Sequence, residues 1–160
     1  MVSKMKIGII CSPGGHLTIA LEVLEAFEGH ELFLISYDTP NMQSFYNPGI
    51  ANIYHIHVIG HRGIRVFLTM LASCLEYVRI FLKERPKLVF STGSEIAVPA
   101  FYIGKMLFRT KLIFLETATR VIRPSLTARL LYPIADLFLV QWPPLQKALG
   151  PKARYEGDLL

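Results

Sequence analysis

A run of apolar residues, Ile7 to Cys11, is followed at once by Ser12-Pro13-Gly14-Gly15-His16, and then by Leu17, Leu21, Leu24 and Phe27 at helical spacing. An uninterrupted apolar run of that length fits a strand covered on both faces, which belongs in a parallel sheet. A strand, a glycine turn and a helix start, in that order, make an anion cradle. Amides left unpaired at the helix start point out of the turn, and the helix dipole adds partial positive charge. Gly14 and Gly15 let the backbone pass close to a ligand. The same residues also suit an ordinary strand-to-helix turn. The spacing is neither G-x-G-x-x-G nor G-x-x-x-x-G-K-[ST], so it carries neither the dinucleotide nor the P-loop signature. His16 stands at the lip of the turn, as a ligand contact or as a capping or packing histidine.

The alternation continues along the chain. Gly29 ends the first helix, and Glu31 to Ser36 is a second strand. Tyr37 to Gly49, with Asp38, Pro40, Asn41, Asn47 and Pro48, is expected to be largely loop. Ile53 to Val58 is a third strand and Gly63 to Lys83 the longest helix, stopped by Pro86. Lys87 to Ser91 is a fourth strand. Thr92-Gly93-Ser94 opens a second strand-to-helix turn, with Pro99 near the first helical turn, and this helix runs to about Phe108. Lys111 to Leu115 and Asp136 to Val140 are strands five and six, with helices at Leu126 to Tyr132 and up to Leu149. A last short strand is expected at Arg154 to Gly157. This pattern predicts one α/β domain over residues 1–160, a doubly wound, mainly parallel, Rossmann-like sheet. Ligands on such sheets bind beyond the strand carboxyl ends, at the switch in strand order. If strands one and four are neighbours, both glycine turns face one crevice.

Composition narrows the partners. The chain of 160 residues is 52% apolar and 18% charged, with net charge +5 and pI near 9.3. A basic, apolar domain suits an anionic partner: nucleic acid, a phospholipid surface or a phosphorylated ligand. Nucleic acid ranks last, because no aromatic platform is interleaved with the cations. Cys11 and Cys74 lie in apolar runs and read as buried thiols, without a disulfide framework. No signal-peptide pattern follows Met1. His55 and His57 alternate on strand three; with no third ligand near in sequence, they read as a solvated strand face and not a metal pair.

Within Ile64 to Leu82, Arg65, Glu76 and Arg79 are the only charges. A membrane span needs about 20 apolar residues, yet this segment also has to cross over between strands three and four. It is expected to be a buried helix with an exposed apolar end. Arg62, Arg65, Arg79, Lys83 and Arg85 flank it, as suits contact with anionic headgroups. The alternative is a crossover helix that is apolar only because it is buried. The candidate membrane contacts are Ile64, Arg65, Val66, Phe67 and Met70.

From Glu116-Thr117-Ala118-Thr119-Arg120 through Gln141-Trp142-Pro143 the sequence resembles the acceptor-side subunit of the two-subunit UDP-GlcNAc transferase of N-glycan assembly. It is also similar to bacterial exopolysaccharide proteins that act as partner chains of split glycosyltransferases. Ser12-x-Gly14-Gly15-His16, Thr92-Gly93 with Val98-Pro99, and the tail Gly157-Asp158-Leu159-Leu160 fit the same family. The resemblance implies the N-terminal half of a GT-B glycosyltransferase, related to the bacterial enzyme that completes lipid II. Such a half holds a polyprenyl- or dolichyl-diphosphate-linked sugar at the cytoplasmic face of the membrane. A separate donor-binding glycosyltransferase subunit closes over it. The family's eukaryotic members carry an N-terminal membrane anchor; none is evident here, so membrane contact would come from the chain's own surface.

Residue chemistry gives these parts candidate roles. Ser12, Gly14, Gly15, Thr92, Gly93 and Ser94 can offer donors to a diphosphate, and Arg120 adds charge beside it, as does Arg123. His16 and Glu116 are the two candidate bases; Glu116 alternatively caps or pairs with Arg120. Asp136 is expected to cap or pair locally, and Trp142 to be a core residue or to stack at an inter-subunit cleft. No cofactor and no metal are called for. The remaining alternatives are a self-sufficient small nucleotide-binding enzyme and an exopolysaccharide glycosyltransferase enhancer with a different sugar.

Overall fold

The computed structural model describes residues 4–57 and 64–157, without the side chains at positions 66, 67 and 70. Seven strands form one all-parallel sheet: β1 Lys6–Ile10, β2 Glu31–Tyr37, β3 Ile50–Ile56, β4 Leu88–Ser91, β5 Lys111–Leu115, β6 Leu137–Leu139 and β7 Ala153–Arg154. Their order across the sheet is β3-β2-β1-β4-β5-β6-β7. The chain winds outward from β1 in one direction and from β4 in the other. The switch in strand order therefore falls between β1 and β4, where Ile7, Gly8 and Ile9 lie beside Leu88, Val89 and Phe90.

Alternation along each strand divides the core. Ile7, Ile9 and Cys11 face one side, with Leu17 and Ala20 of α1 (Gly15–Glu22) and Met42 of α2 (Pro40–Gln43). Ile10, Phe33, Ile35, Phe114 and Phe138 face the other side. There they meet α3 (Ile64–Glu84), α4 (Ala97–Leu107), α5 (Leu126–Leu131) and α6 (Pro143–Leu149).

Several expectations shift. The first helix does not run unbroken to Phe27: α1 stops at Glu22, and Leu24–Phe27 forms a tighter 3-10 turn. That turn sets the Phe27 ring 5.3 Å from the Phe90 ring on β4. The expected loop after β2 contains α2, seeded by Pro40 in its first turn and anchored by buried Met42. Strand β3 starts at Ile50, not Ile53. Leu32 pairs with Ile50 but Phe33 with Asn52, so an irregularity at Ala51 shifts the register by one residue. The expected end of this strand at Val58, and the helix start at Gly63, lie outside the described residues. Strand β7 lies earlier than Arg154 to Gly157, because Ala153 and Arg154 pair with Phe138 and Leu139.

Cys11 is buried, which pushes its thiol up to about 12. Cys74 is only half-buried, contrary to expectation, because it lies on α3 between an inward and an outward face. His55 is likewise half-buried, with Nδ1 enclosed, instead of solvated. Exposed His57 sits 3.4 Å from the Asp38 carboxylate and 3.9 Å from that of Glu76. Asp136 pairs locally, as its position suggested. It accepts from Lys105 at 2.8 Å and from the Leu112 amide at 2.9 Å. Desolvation raises its affinity for a proton, but these donors and Lys111 outweigh that and hold the carboxyl below its usual range.

Candidate functional site

The two glycine turns meet on the carboxyl rim of the sheet. Gly14 caps α1 with φ +89° and Gly93 has φ +119°, conformations that a side chain rarely adopts. A Cβ at Gly93 would stand 2.7 Å from His16 Cε1, so only glycine lets the two turns close on each other. His16 Nδ1 lies 2.9 Å from the Thr92 carbonyl oxygen, and the Thr92 hydroxyl donates to the His16 carbonyl at 2.7 Å. A backbone carbonyl only accepts, so Nδ1 carries the proton. In the neutral ring that leaves Nε2 as the acceptor.

These turns form one wall of a cleft of about 770 Å³. Gly15, His16, Thr18 and Ile19 line it from α1, and Ser94 and Glu95 from the second turn. The opposite wall is the loop from Glu116 to Ser125 with the start of α5. Of the sequence-derived site residues, Gly15, His16, Ser94, Glu116 and Arg120 line the cleft. Gly14, Thr92, Gly93 and Ser12 belong to the turns behind it. The Thr92 hydroxyl is committed to His16, and the Gly93 amide donates to Ser91 Oγ at 3.1 Å, so both buttress the turns.

Glu116 is 1% exposed. One carboxylate oxygen accepts from the Thr117 amide at 3.0 Å. The other accepts from the Ser125 amide at 3.0 Å and the Ser125 hydroxyl at 2.9 Å. Ser125 in turn caps α5, its Oγ accepting from the Ala128 amide at 3.0 Å. Glu116 therefore staples both ends of its own loop. Two further bonds arrive from the segment between β6 and α6. Gln141 Nε2 donates to the Glu116 carbonyl at 3.0 Å, and Trp142 Nε1 donates to the Ala118 carbonyl at 2.7 Å. Trp142 is half-buried against the core, in keeping with the core reading.

Sequence reasoning missed Glu95. Its carboxylate accepts from Tyr37 Oη at 2.7 Å and from Ser94 Oγ at 3.0 Å. Burial pushes its proton affinity up, but Tyr37, its own amide, Ser94 and the nearby His16 outweigh it and hold the group below its usual range. Ser94 reaches it with φ +77°, a strained conformation for a non-glycine residue. Glu95 lines the cleft and is held by Tyr37, 58 residues away, a pairing that leaves no trace in a sequence.

Helix α3 shows a face unlike the expected buried helix with one apolar end. Thr69 and Ser73 are buried toward the protein, while Ile64, Leu68, Leu71, Leu75 and Leu82 are exposed along its length, Leu75 to 67%. Arg65 is exposed in the first turn. The side chains of Val66, Phe67 and Met70, expected as membrane contacts, lie outside the described residues. Among the described residues no helix is long and apolar enough to cross a membrane. Nor are three His, Cys, Asp or Glu side chains grouped there to hold a metal ion.

The sequence profile of the family described as "Oligosaccharide biosynthesis protein Alg14 like" matches residues 7–159. The UDP-N-acetylglucosamine transferase subunit ALG14 of Yarrowia lipolytica is 30% identical over 116 residues, covering 69% of this chain and 53% of that protein. Its Candida albicans counterpart is 25% identical across 100% of this chain and 80% of the relative. Among solved structures, MurG of Acinetobacter baumannii superposes with a TM-score of 0.76 at 18% identity, over 94% of this chain and 45% of that one. UDP-GlcNAc 2-epimerase of Methanocaldococcus jannaschii gives 0.72 at 16% identity, over 96% and 47%. This chain thus spans about half of the Yarrowia protein and slightly less than half of each superposed chain.

Proposed function

The chain belongs to the Alg14-like family of oligosaccharide biosynthesis proteins, and from that premise we propose that it is the acceptor-binding subunit of a two-chain inverting glycosyltransferase. The transferred sugar is GlcNAc or a close relative, taken from a UDP-sugar. The acceptor is a polyprenyl- or dolichyl-diphosphate-linked sugar at the cytoplasmic membrane face. A second chain supplies the nucleotide-sugar half. One observation carries this reading: a cleft at the sheet's switch point lies in a fold equivalent to 45% of the MurG chain. Ligands bind along such a rim, and the relatives named as transferase subunits support a donor side on another body.

The residues support a division of labour. The start of α1, at Gly15, gives amides and a positive dipole end to the acceptor diphosphate. Exposed Arg120 adds charge from the facing wall, while the Ser94 hydroxyl is committed to Glu95 and buttresses the turn. His16 is the better placed base. Its Nδ1–H is anchored on the Thr92 carbonyl, so Nε2 is available to take the proton of the attacking sugar hydroxyl. The hydroxyl oxygen then bonds to the anomeric carbon from the face opposite the nucleotide. The bond to UDP breaks, and UDP departs with that electron pair. Glu116 serves by holding the loop, since its carboxylate oxygens are occupied by Thr117 and Ser125. The outward leucines of α3 with Arg65 supply contact with an anionic membrane surface.

The purified chain, UDP-GlcNAc and a lipid-diphosphate sugar acceptor should give no product until a donor-binding subunit is added. Full turnover by this chain alone would refute the split-enzyme reading.

A further inference from the structure

Beside the cleft, a second apolar surface stands apart from α3. Val121, Ile122, Leu126 and Leu130 are all exposed, Ile122 to 67% and Leu126 to 73%. Arg120, Arg123 and Arg129 are exposed among them. The segment 117–135 contains these three arginines and no Asp or Glu. Glu116 and Trp142 bind its backbone from below, at Ser125 and Ala118. Of its own large side chains, Leu131 is buried and Tyr132 packs on Phe138, while Val121, Ile122, Leu126 and Leu130 face outward.

Topology fixes where this ridge stands. Helix α3 follows β3 and the ridge follows β5, so in a parallel sheet both begin at the carboxyl rim. Ile64, Arg65 and Leu68 lie at that end of α3, and Leu126 both belongs to the ridge and lines the cleft. Apolar side chains interleaved with cations and free of acidic residues complement an anionic phospholipid surface.

We propose that residues 120–130 form a second bilayer-docking element. With the start of α3 it brackets the cleft mouth, so that a lipid tail leaving the cleft enters the bilayer directly. The ridge rests on the reading that this rim faces a membrane, but it acts through residues that α3 does not contain.

The test is partitioning of the full chain onto phosphatidylcholine vesicles with and without phosphatidylglycerol. Two ridge variants are Val121→Ser/Ile122→Ser and Arg123→Gln/Arg129→Gln; one α3 variant is Leu71→Ser/Leu75→Ser. Circular dichroism checks that each is folded. The ridge serines should weaken partitioning about tenfold. The paired glutamines should weaken it by about fivefold per arginine, on anionic vesicles only. Loss with the α3 variant but not with either ridge variant overturns the ridge and leaves the α3 contact standing. Loss with the ridge variants but not with the α3 variant overturns the α3 contact and supports the ridge. Unchanged partitioning together with lost binding of a donor-side subunit makes the ridge a protein interface and overturns the proposal.

Discussion

The two walls of the cleft are built by different means. The wall at Gly14–His16 and Thr92–Glu95 is mostly backbone: two positive-φ glycines, a carbonyl holding His16, and a hydroxyl returning to the His16 carbonyl. Neighbouring strands β1 and β4 fix its place through their register. The wall at Glu116–Ser125 has no such ladder. It hangs on one buried carboxylate and two side chains from the β6–α6 segment. A backbone wall is rigid where the sheet is rigid, so it suits the reacting group. A wall hung on side chains can carry variable residues at its surface while keeping its path, which is where Arg120 and the exposed aliphatics stand.

Four experiments sharpen or break this contrast. The largest effect is on chemistry. His16→Ala in the assembled two-chain enzyme should lower kcat by about 10²–10⁴-fold while leaving the thermal midpoint nearly unchanged. A loss under threefold would remove His16 as the base. Next, Glu116→Ala strands three donors and should destabilise the fold by about 3 kcal/mol or more, seen as a lower urea midpoint. If instead stability held and only turnover fell, Glu116 would be a catalytic group and not a staple.

Third, the two glycines should differ. Gly93→Ala combines a positive φ with a collision at His16 and should cost about 2 kcal/mol. Gly14→Ala meets nothing within 4 Å and should cost about 1 kcal/mol from backbone strain alone. Equal costs would mean that the His16 ring is free to move.

The smallest effect concerns Glu95. A carboxyl held below its usual range adds stability above the ordinary carboxylate range, and loses it as pH falls through the lowered value. Tyr37→Phe removes one of the bonds that hold it down. The variant should therefore lose less stability than the parent between neutral and acid pH, read from urea midpoints. An identical acid loss would show that the Tyr37 bond does not set the Glu95 proton affinity.

Much of this was legible in the sequence for local reasons. Apolar runs of strand length, glycines after two of them, and helical spacing at Leu17 and Leu21 are near-neighbour signals. They placed β1, β2, β4, β5 and the two turns within a few residues. The boundary errors share one cause. The register of β3 and β7 is set by partners in distant strands, and the turn at Leu24–Phe27 carries a ring that meets Phe90 on β4. Glu116 was legible as important but not as a staple, because Ser125 is its partner only once the loop is folded. The face of α3 escaped for another reason. Periodicity shows that a helix has an apolar stripe, but not that Thr69 and Ser73 turn inward while the leucines turn outward.

By itself the sequence determined an alternating parallel α/β chain with two anion-suited turns, because strand, glycine and helix preferences act over a few residues. Only the tertiary structure decided that β1 and β4 are adjacent. That adjacency brings His16 onto the Thr92 carbonyl and assigns its ring proton. The identity of the acceptor nitrogen thus depends on a contact 76 residues apart, which no local preference encodes.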